Sequence, residues 1–286
     1  MRILILDTYY DGFLREFYRR FPRMKNLNYC ETKETIMDQL FGTADFYSEN
    51  LKLLGYQAED IILNDKILQK KWAYEHGIIR LLDWADGIHV PFTKIGFHSN
   101  WSEEILERQI TEIKPDIIYC QNLGMPGVAF LNKIKEKMSL FIVGQIASPV
   151  IFEKALFFPY DLILTSFPHF VPRFKKLGIN CEYFRIGFEK TVLPKLKKLK
   201  KQFPVTFVGG FSRHHNNNLV FSAATDVWGY GRVPISNKSH GVAWGINMYN
   251  ILYNSKITLN RHIDAAEGHA NNMRLFVSTG VGTMLI

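Results

Sequence analysis

Short aliphatic runs separated by helical patterns through almost the whole chain predict an α/β protein built on parallel sheets. Three observations carry that reading. The first run, Arg2 to Leu6, is aliphatic throughout rather than alternating, as in a central strand covered on both faces. Strands and helices then alternate, the pattern of a parallel sheet wound by right-handed crossovers. A polar stretch from Phe188 to Phe203 breaks the alternation, and a second αβ series begins at Val205. The 286 residues suffice for two domains, each with its own core. The spacing puts the boundary between Leu193 and Pro194, giving domains 1–193 and 194–286.

The elements justify themselves in order. After the first strand, Asp7 to Gly12 reads as a loop and Phe13 to Phe21 as a helix. Tyr47, Leu51 and Leu54 recur at helical spacing before Gly55, so Asp45 to Leu54 is a helix closed by a glycine. A strand over Asp60 to Leu63 and an aromatic-rich helix over Leu68 to Trp84 follow. Asp86 to Asn100, with His89 and His98, is a polar and aromatic loop, and Trp101 to Ile113 is a helix. Asp116–Cys120, Leu140–Gln145, Leu162–Thr165 and Cys181–Phe184 read as strands, with helices over Pro126–Lys137 and Val171–Leu177. In the second series Val205–Val208, Val227–Gly229 and Lys256–Leu259 are its first, second and third strands.

Composition narrows the classes. Hydrophobic residues at 47% and charged residues at 22% are those of a globular protein, and no apolar run approaches the ~18 residues of a membrane span. The start, MRILILDTYYDG, turns acidic too soon for a signal peptide. Three dispersed cysteines, Cys30, Cys120 and Cys181, suggest neither a disulfide framework nor a zinc site and fit a reducing cytoplasm. The net charge of +8 favours anionic partners. Five lysines, Lys195, Lys197, Lys198, Lys200 and Lys201, crowd into seven linker residues. They read as a solvated linker or as a patch touching an anionic membrane face. No interleaved basic and aromatic module argues for nucleic acid.

The last stretch organises the rest. An apolar strand stops at Asn260 and His262, a helix starts near Asn271 or Asn272, and Gly280-Val281-Gly282 ends it before a final apolar run, Thr283 to Ile286. Such a strand-to-helix loop lies at the carboxyl edge of a parallel sheet, where anions bind. The run Leu259-Asn260-x-His262, then Asn271-Asn272-Met273-Arg274-Leu275-Phe276 and Thr279-Gly280-Val281-Gly282-Thr283, resembles the signature of the CgeB-like (spore-maturation) glycosyltransferases. Phe207-Val208-Gly209-Gly210 with Arg213-His214, Trp244-Gly245-x-x-Met248-Tyr249, and Gly144-Gln145-Ile146-Ala147-Ser148-Pro149 are similar to further parts of that family. The resemblance implies the GT-B fold: two Rossmann-like domains facing a cleft, an acceptor domain and then a donor domain. It implies hexosyl transfer from a nucleotide sugar to a glycan, lipid-linked or protein acceptor, at the cytoplasmic side and in the service of a cell-surface polysaccharide.

On that reading the donor would be met by Gly209, Gly210, Arg213, His214, His262, Asp264, Asn271, Asn272, Arg274, Ser278 and Thr279. Arginines and helix N–H groups would hold the diphosphate, with no metal and no resident cofactor expected. Arg213 also reads as a surface residue, Arg274 as a partner of Glu267, and His262 as a satisfied loop histidine. For a general base the candidates are Asp11, His89 and His98. Two departures from the family stand out. Val277 occupies a place where the family carries a glutamate on the ribose, unless position 277 faces the core. The chain also ends in a strand where the family continues, so the second domain is expected to be truncated, with apolar surface at its last strand. Both departures suggest a second reading, a degenerate protein that binds a nucleotide sugar or glycan without turning it over.

Overall fold

The computed structural model describes residues 1–78, 101–197, 202–211, 218–223, 226–230, 238–270 and 272–286. The chain divides into two compact units, one of residues 1–37, 47–145 and 154–163, the other of residues 38–46, 146–153 and 164–286.

The first sheet contains β1 (Arg2–Asp7), β2 (Gln57–Ile62), β3 (Ile117–Cys120), β4 (Phe141–Ile146), β5 (Leu162–Thr165) and β6 (Cys181–Tyr183), in the order β2-β1-β3-β4-β5-β6. β1 pairs in parallel with β2 and β3, and β3 with β4. Leu4, Ile5 and Leu6 have no exposed surface, because helices cover both faces of a central strand. The helices are α1 (Asp11–Arg20), α2 (Tyr29–Met37), α3 (Phe46–Leu53), α4 (Lys66–Glu75), α5 (Trp101–Ile113), α6 (Val128–Lys137) and α7 (Phe170–Lys176). The sequence pattern carries α4 on to Trp84, but the helix stops at Glu75, where Gly77 takes a φ of +69°. The loop expected over Asp86–Asn100, with His89 and His98, lies outside the described residues.

The second sheet contains β7 (Phe203–Val208), β8 (Asp226–Trp228), β9 (Lys238–Ser239), β10 (Ser255–Thr258) and β11 (Met284–Leu285), ordered β11-β10-β7-β8-β9. All four pairings are parallel. Its helices are α8 (Asn218–Ala223), α9 (Gly245–Tyr253) and α10 (Met273–Gly280). Alternate strand residues face opposite ways. Val208 and Trp228 therefore join one core with Tyr249, Leu252, Val277 and Val281, while Phe207 and Val227 join another with Val220 and Leu259.

β9 corrects the strand count: the run expected as third is the fourth of its sheet in chain order. β9 has two exposed residues and no apolar pattern, so the sequence does not announce it. The linker is anchored at a few points. Val192 is fully buried in the core around Val208, Lys195 pairs with Asp38 at 2.8 Å, and the Lys197 N–H donates to Asn250 Oδ1 at 2.8 Å. Thr191, Leu193, Pro194, Lys195 and Lys197 nevertheless stay exposed to solvent; Lys198, Lys200 and Lys201 lie outside the described residues. Met284 and Ile286 are exposed at the β11 edge. Among the described residues, no helix is long and apolar enough to cross a membrane.

Candidate functional site

Because the strands of the second sheet are parallel, their carboxyl ends share one edge. There β7 runs into Gly209-Gly210, β8 into Gly229-Tyr230, and β10 into Asn260-Arg261 soon after its last residue. The chain builds outward from β7 through β8 to β9, then returns to place β10 on the other side of β7. The order reverses between β7 and β10, and open α/β sheets bind ligands in the crevice outside such a reversal.

Two arginines converge on this point. The Arg261 guanidinium lies over the rings of Phe207 and Phe211, 4.7 and 5.0 Å from their centroids, and donates to the Gly210 carbonyl. The Arg274 guanidinium lies 5.0 Å from the centroid of the same Phe207 ring. A Cβ on Gly209 would stand 2.5 Å from Arg274 Nη2, so the strand end is glycine where the guanidinium crosses it. Neither arginine has a carboxylate partner among the described residues. Glu267, the alternative partner of Arg274, pairs with Arg173 at 2.8 Å. Burial lowers both guanidiniums to about 10, and the charge of Arg261 adds to the effect on Arg274. Both remain charged at neutral pH, held against one aromatic ring. The Nη1 of Arg261 is buried without a hydrogen-bond partner among the described residues.

A chain of amides fixes the surroundings. Asn272 caps α10: its Oδ1 accepts from the Leu275 N–H at 3.1 Å, so its Nδ2 is the donor to Asn260 Oδ1 at 2.7 Å and to the Arg261 carbonyl at 2.9 Å. Asn260 Nδ2 is then the donor at 3.4 Å to His262 Nε2, which assigns the proton of a neutral imidazole to Nδ1. Burial, then the charge of Arg274, lowers the pKa of His262 and keeps it neutral.

The expected donor residues divide. Gly209, Gly210, His262, Asn272 and Arg274 come together at this edge. Asp264 is exposed at the start of a turn over Asp264–Ala266 whose last residue, Ala266, is buried. Ser278 is corrected: it has no exposed surface, and its hydroxyl, in the packed interior, lacks a hydrogen-bond partner among the described residues. Thr279 is exposed, but its hydroxyl donates to the Leu275 carbonyl of its own helix at 2.7 Å. Val277, 5% exposed, belongs to the core with Val208 and Trp228, so it faces the interior rather than a ribose. Arg213, His214 and Asn271 lie outside the described residues. Sequence reasoning missed Arg261, the one position the motif Leu259-Asn260-x-His262 leaves open. Its signal was an arginine directly after the strand, among polar loop residues.

In the first unit the order reverses between β1 and β3. Asp7 ends β1 there. Its Oδ1 accepts from the Thr8 N–H at 2.7 Å, and the Thr8 hydroxyl accepts from Asn122 Nδ2 at 2.7 Å. Burial raises the Asp7 carboxyl to about 6, against the backbone hydrogen bond that lowers it. Asp11, the expected candidate, is exposed in the first turn of α1.

No family profile and no curated protein sequence matches this chain. Solved structures do. Sucrose-phosphate synthase from Thermosynechococcus elongatus superposes over 100% of this chain and 80% of its own, with a TM-score of 0.55 at 9% identity. A glycosyltransferase from Rickettsia africae covers 99% of this chain and 78% of its own, with a TM-score of 0.47 at 9% identity. The fold is α/β with two parallel sheets, the GT-B fold.

Proposed function

We propose that this protein is a glycosyltransferase that uses a nucleotide-sugar donor and a glycan, lipid-linked or protein acceptor, and that it belongs with the CgeB-like transferases its sequence resembles. The observation that carries the reading is the pair of guanidiniums, Arg261 and Arg274, over one Phe207 ring at the strand-order reversal, with no carboxylate partner among the described residues. Two unneutralised cations at the mouth of a parallel sheet favour a doubly charged, multidentate anion such as a diphosphate. As the bond to the sugar breaks, negative charge grows on the departing diphosphate. Fixed cations already aimed at that place stabilise the transition state more than the ground state. On this account the arginines supply the charge themselves, and transfer proceeds without a metal.

His262, kept neutral by burial and by the neighbouring charge of Arg274, adds no third charge to the pair. Asp7, at the first sheet's reversal, offers a carboxylate whose proton affinity suits acid–base work near neutral pH, and it joins Asp11, His89 and His98 as a candidate base. Val277 in the core removes one of the two reasons for reading the protein as degenerate.

The test is release of nucleoside diphosphate from a panel of uridine, guanosine, adenosine and thymidine diphosphate sugars, with and without a chelator. Release from at least one donor, insensitive to chelation and lost in Arg274→Ala, is expected. No release from any donor, together with no binding of any nucleoside diphosphate, would overturn the proposal.

A further inference from the structure

Beyond the arginine pair, the same edge carries an aromatic side chain with no role so far. Tyr230 closes β8 one strand over from Gly209, and it is 51% exposed. Its backbone is fixed, because its carbonyl accepts from the Phe211 N–H at 2.7 Å and the preceding Gly229 N–H donates to the Gly241 carbonyl at 2.6 Å. Its ring lies against the Gly210 backbone: a Cβ there would fall inside contact distance of the phenol carbons, and 2.6 Å from the hydroxyl. The ring is close enough to both guanidiniums for its charge state to bear on theirs. An exposed, rigidly seated aromatic ring therefore stands beside two cations that lack a carboxylate partner among the described residues.

Position matters as much as exposure. In a doubly wound half with this strand order, phosphates sit at the first strand's end. The nucleoside extends toward the end of the second strand, where an acidic residue about 20 positions on commonly takes the ribose hydroxyls. Tyr230 lies about 20 residues beyond Gly209, at the end of that second strand. A phenol ring cannot accept two ribose hydroxyls as a carboxylate does, but it offers a face to a planar base.

We propose that Tyr230 stacks on the nucleobase of a nucleoside diphosphate whose phosphates are held by Arg261 and Arg274. This rests on the function proposed above and extends it from the anion to the base. Because every base has a stacking face, Tyr230 sets the preference for a nucleotide over a bare anion rather than for one base over another.

Calorimetry with two probes, inorganic pyrophosphate and uridine diphosphate, separates the two claims. In Tyr230→Ala, uridine diphosphate affinity is expected to fall about 5- to 150-fold while pyrophosphate affinity stays within about twofold. Tyr230→Phe, which keeps the ring and loses the hydroxyl, should bind both probes as the parent does, and Tyr230→Leu, which keeps apolar bulk without a π face, should resemble the alanine variant. Equal losses for both probes in Tyr230→Ala, no loss for either, or a phenylalanine variant as weak as alanine would overturn the stacking role while leaving the arginine site standing. A parent protein that binds neither probe would overturn both.

Discussion

The Arg274 guanidinium occupies the space that a side chain at Gly209 would need, with Nη2 2.5 Å from the Cβ an alanine would carry. Two glycines at this edge are thus glycine for different reasons. At Gly209 the obstacle is the far end of a long side chain, which can move. At Gly229 it is backbone, since a Cβ there would run into the Gly209 carbonyl.

The contrast makes a prediction. Gly209→Ala should leave the melting temperature within a few degrees of the parent and weaken nucleoside diphosphate binding by displacing Arg274. Gly229→Ala should lower stability by about 1–3 kcal/mol, as overpacking does. Thermal melts alongside calorimetry check both, and a Gly209→Ala variant that binds as the parent does would detach Arg274 from the ligand.

Val277 sits in the core with Val208 and Trp228, so an acid there is buried without a counter-ion. Val277→Glu should melt well below the parent, by several kcal/mol at neutral pH, and bind nucleoside diphosphate no better. Tighter binding in a stable variant would return position 277 to the ribose.

Asp7 gives a pH signature. Its folded-state value, about 6, lies above its ordinary 3.8, so the native state holds the proton more tightly than the unfolded chain. This contribution to stability is present at low pH and is lost as the pH rises from about 4 to about 6. Asp7→Asn, which keeps the acceptor for the Thr8 N–H, should therefore stabilise the protein by about 3 kcal/mol at pH 7 and by little below pH 4. On the proposed function it should also lose activity. Denaturant melts at the two pH values decide; an equal gain at both would deny the buried carboxylate.

Much of this was legible in the residues. Arg2 to Leu6 announces a central strand, and the Asn272 cap and Gly280-Val281-Gly282 bracket α10 within a residue or so. What was hidden depended on geometry that no period encodes. Arg274 and Val277 lie on one stripe of α10, three residues apart, and Val281 continues it four residues on, at the C-cap. The sequence alone does not say that this stripe leaves the sheet edge after Arg274 and enters the core at Val277. Arg274 also reaches from the face that buries Val277 to Phe207, which belongs to the opposite face. The crossing runs past Gly209, just beyond the carboxyl end of β7. α9 escaped notice because its first residue, Gly245, takes a φ of +50° against the Gln39 carbonyl, an uncommon helix start. The short, exposed β9 has no pattern to find.

The most direct test of the account is calorimetry of nucleoside diphosphate binding to the parent, Arg261→Ala, Arg274→Ala and the double variant, at low and at high ionic strength. The account predicts binding that weakens as salt rises, a loss of about 1.5–3 kcal/mol for each single variant, and no measurable binding by a folded double variant. A double variant that stays folded and binds as tightly as the parent would contradict it.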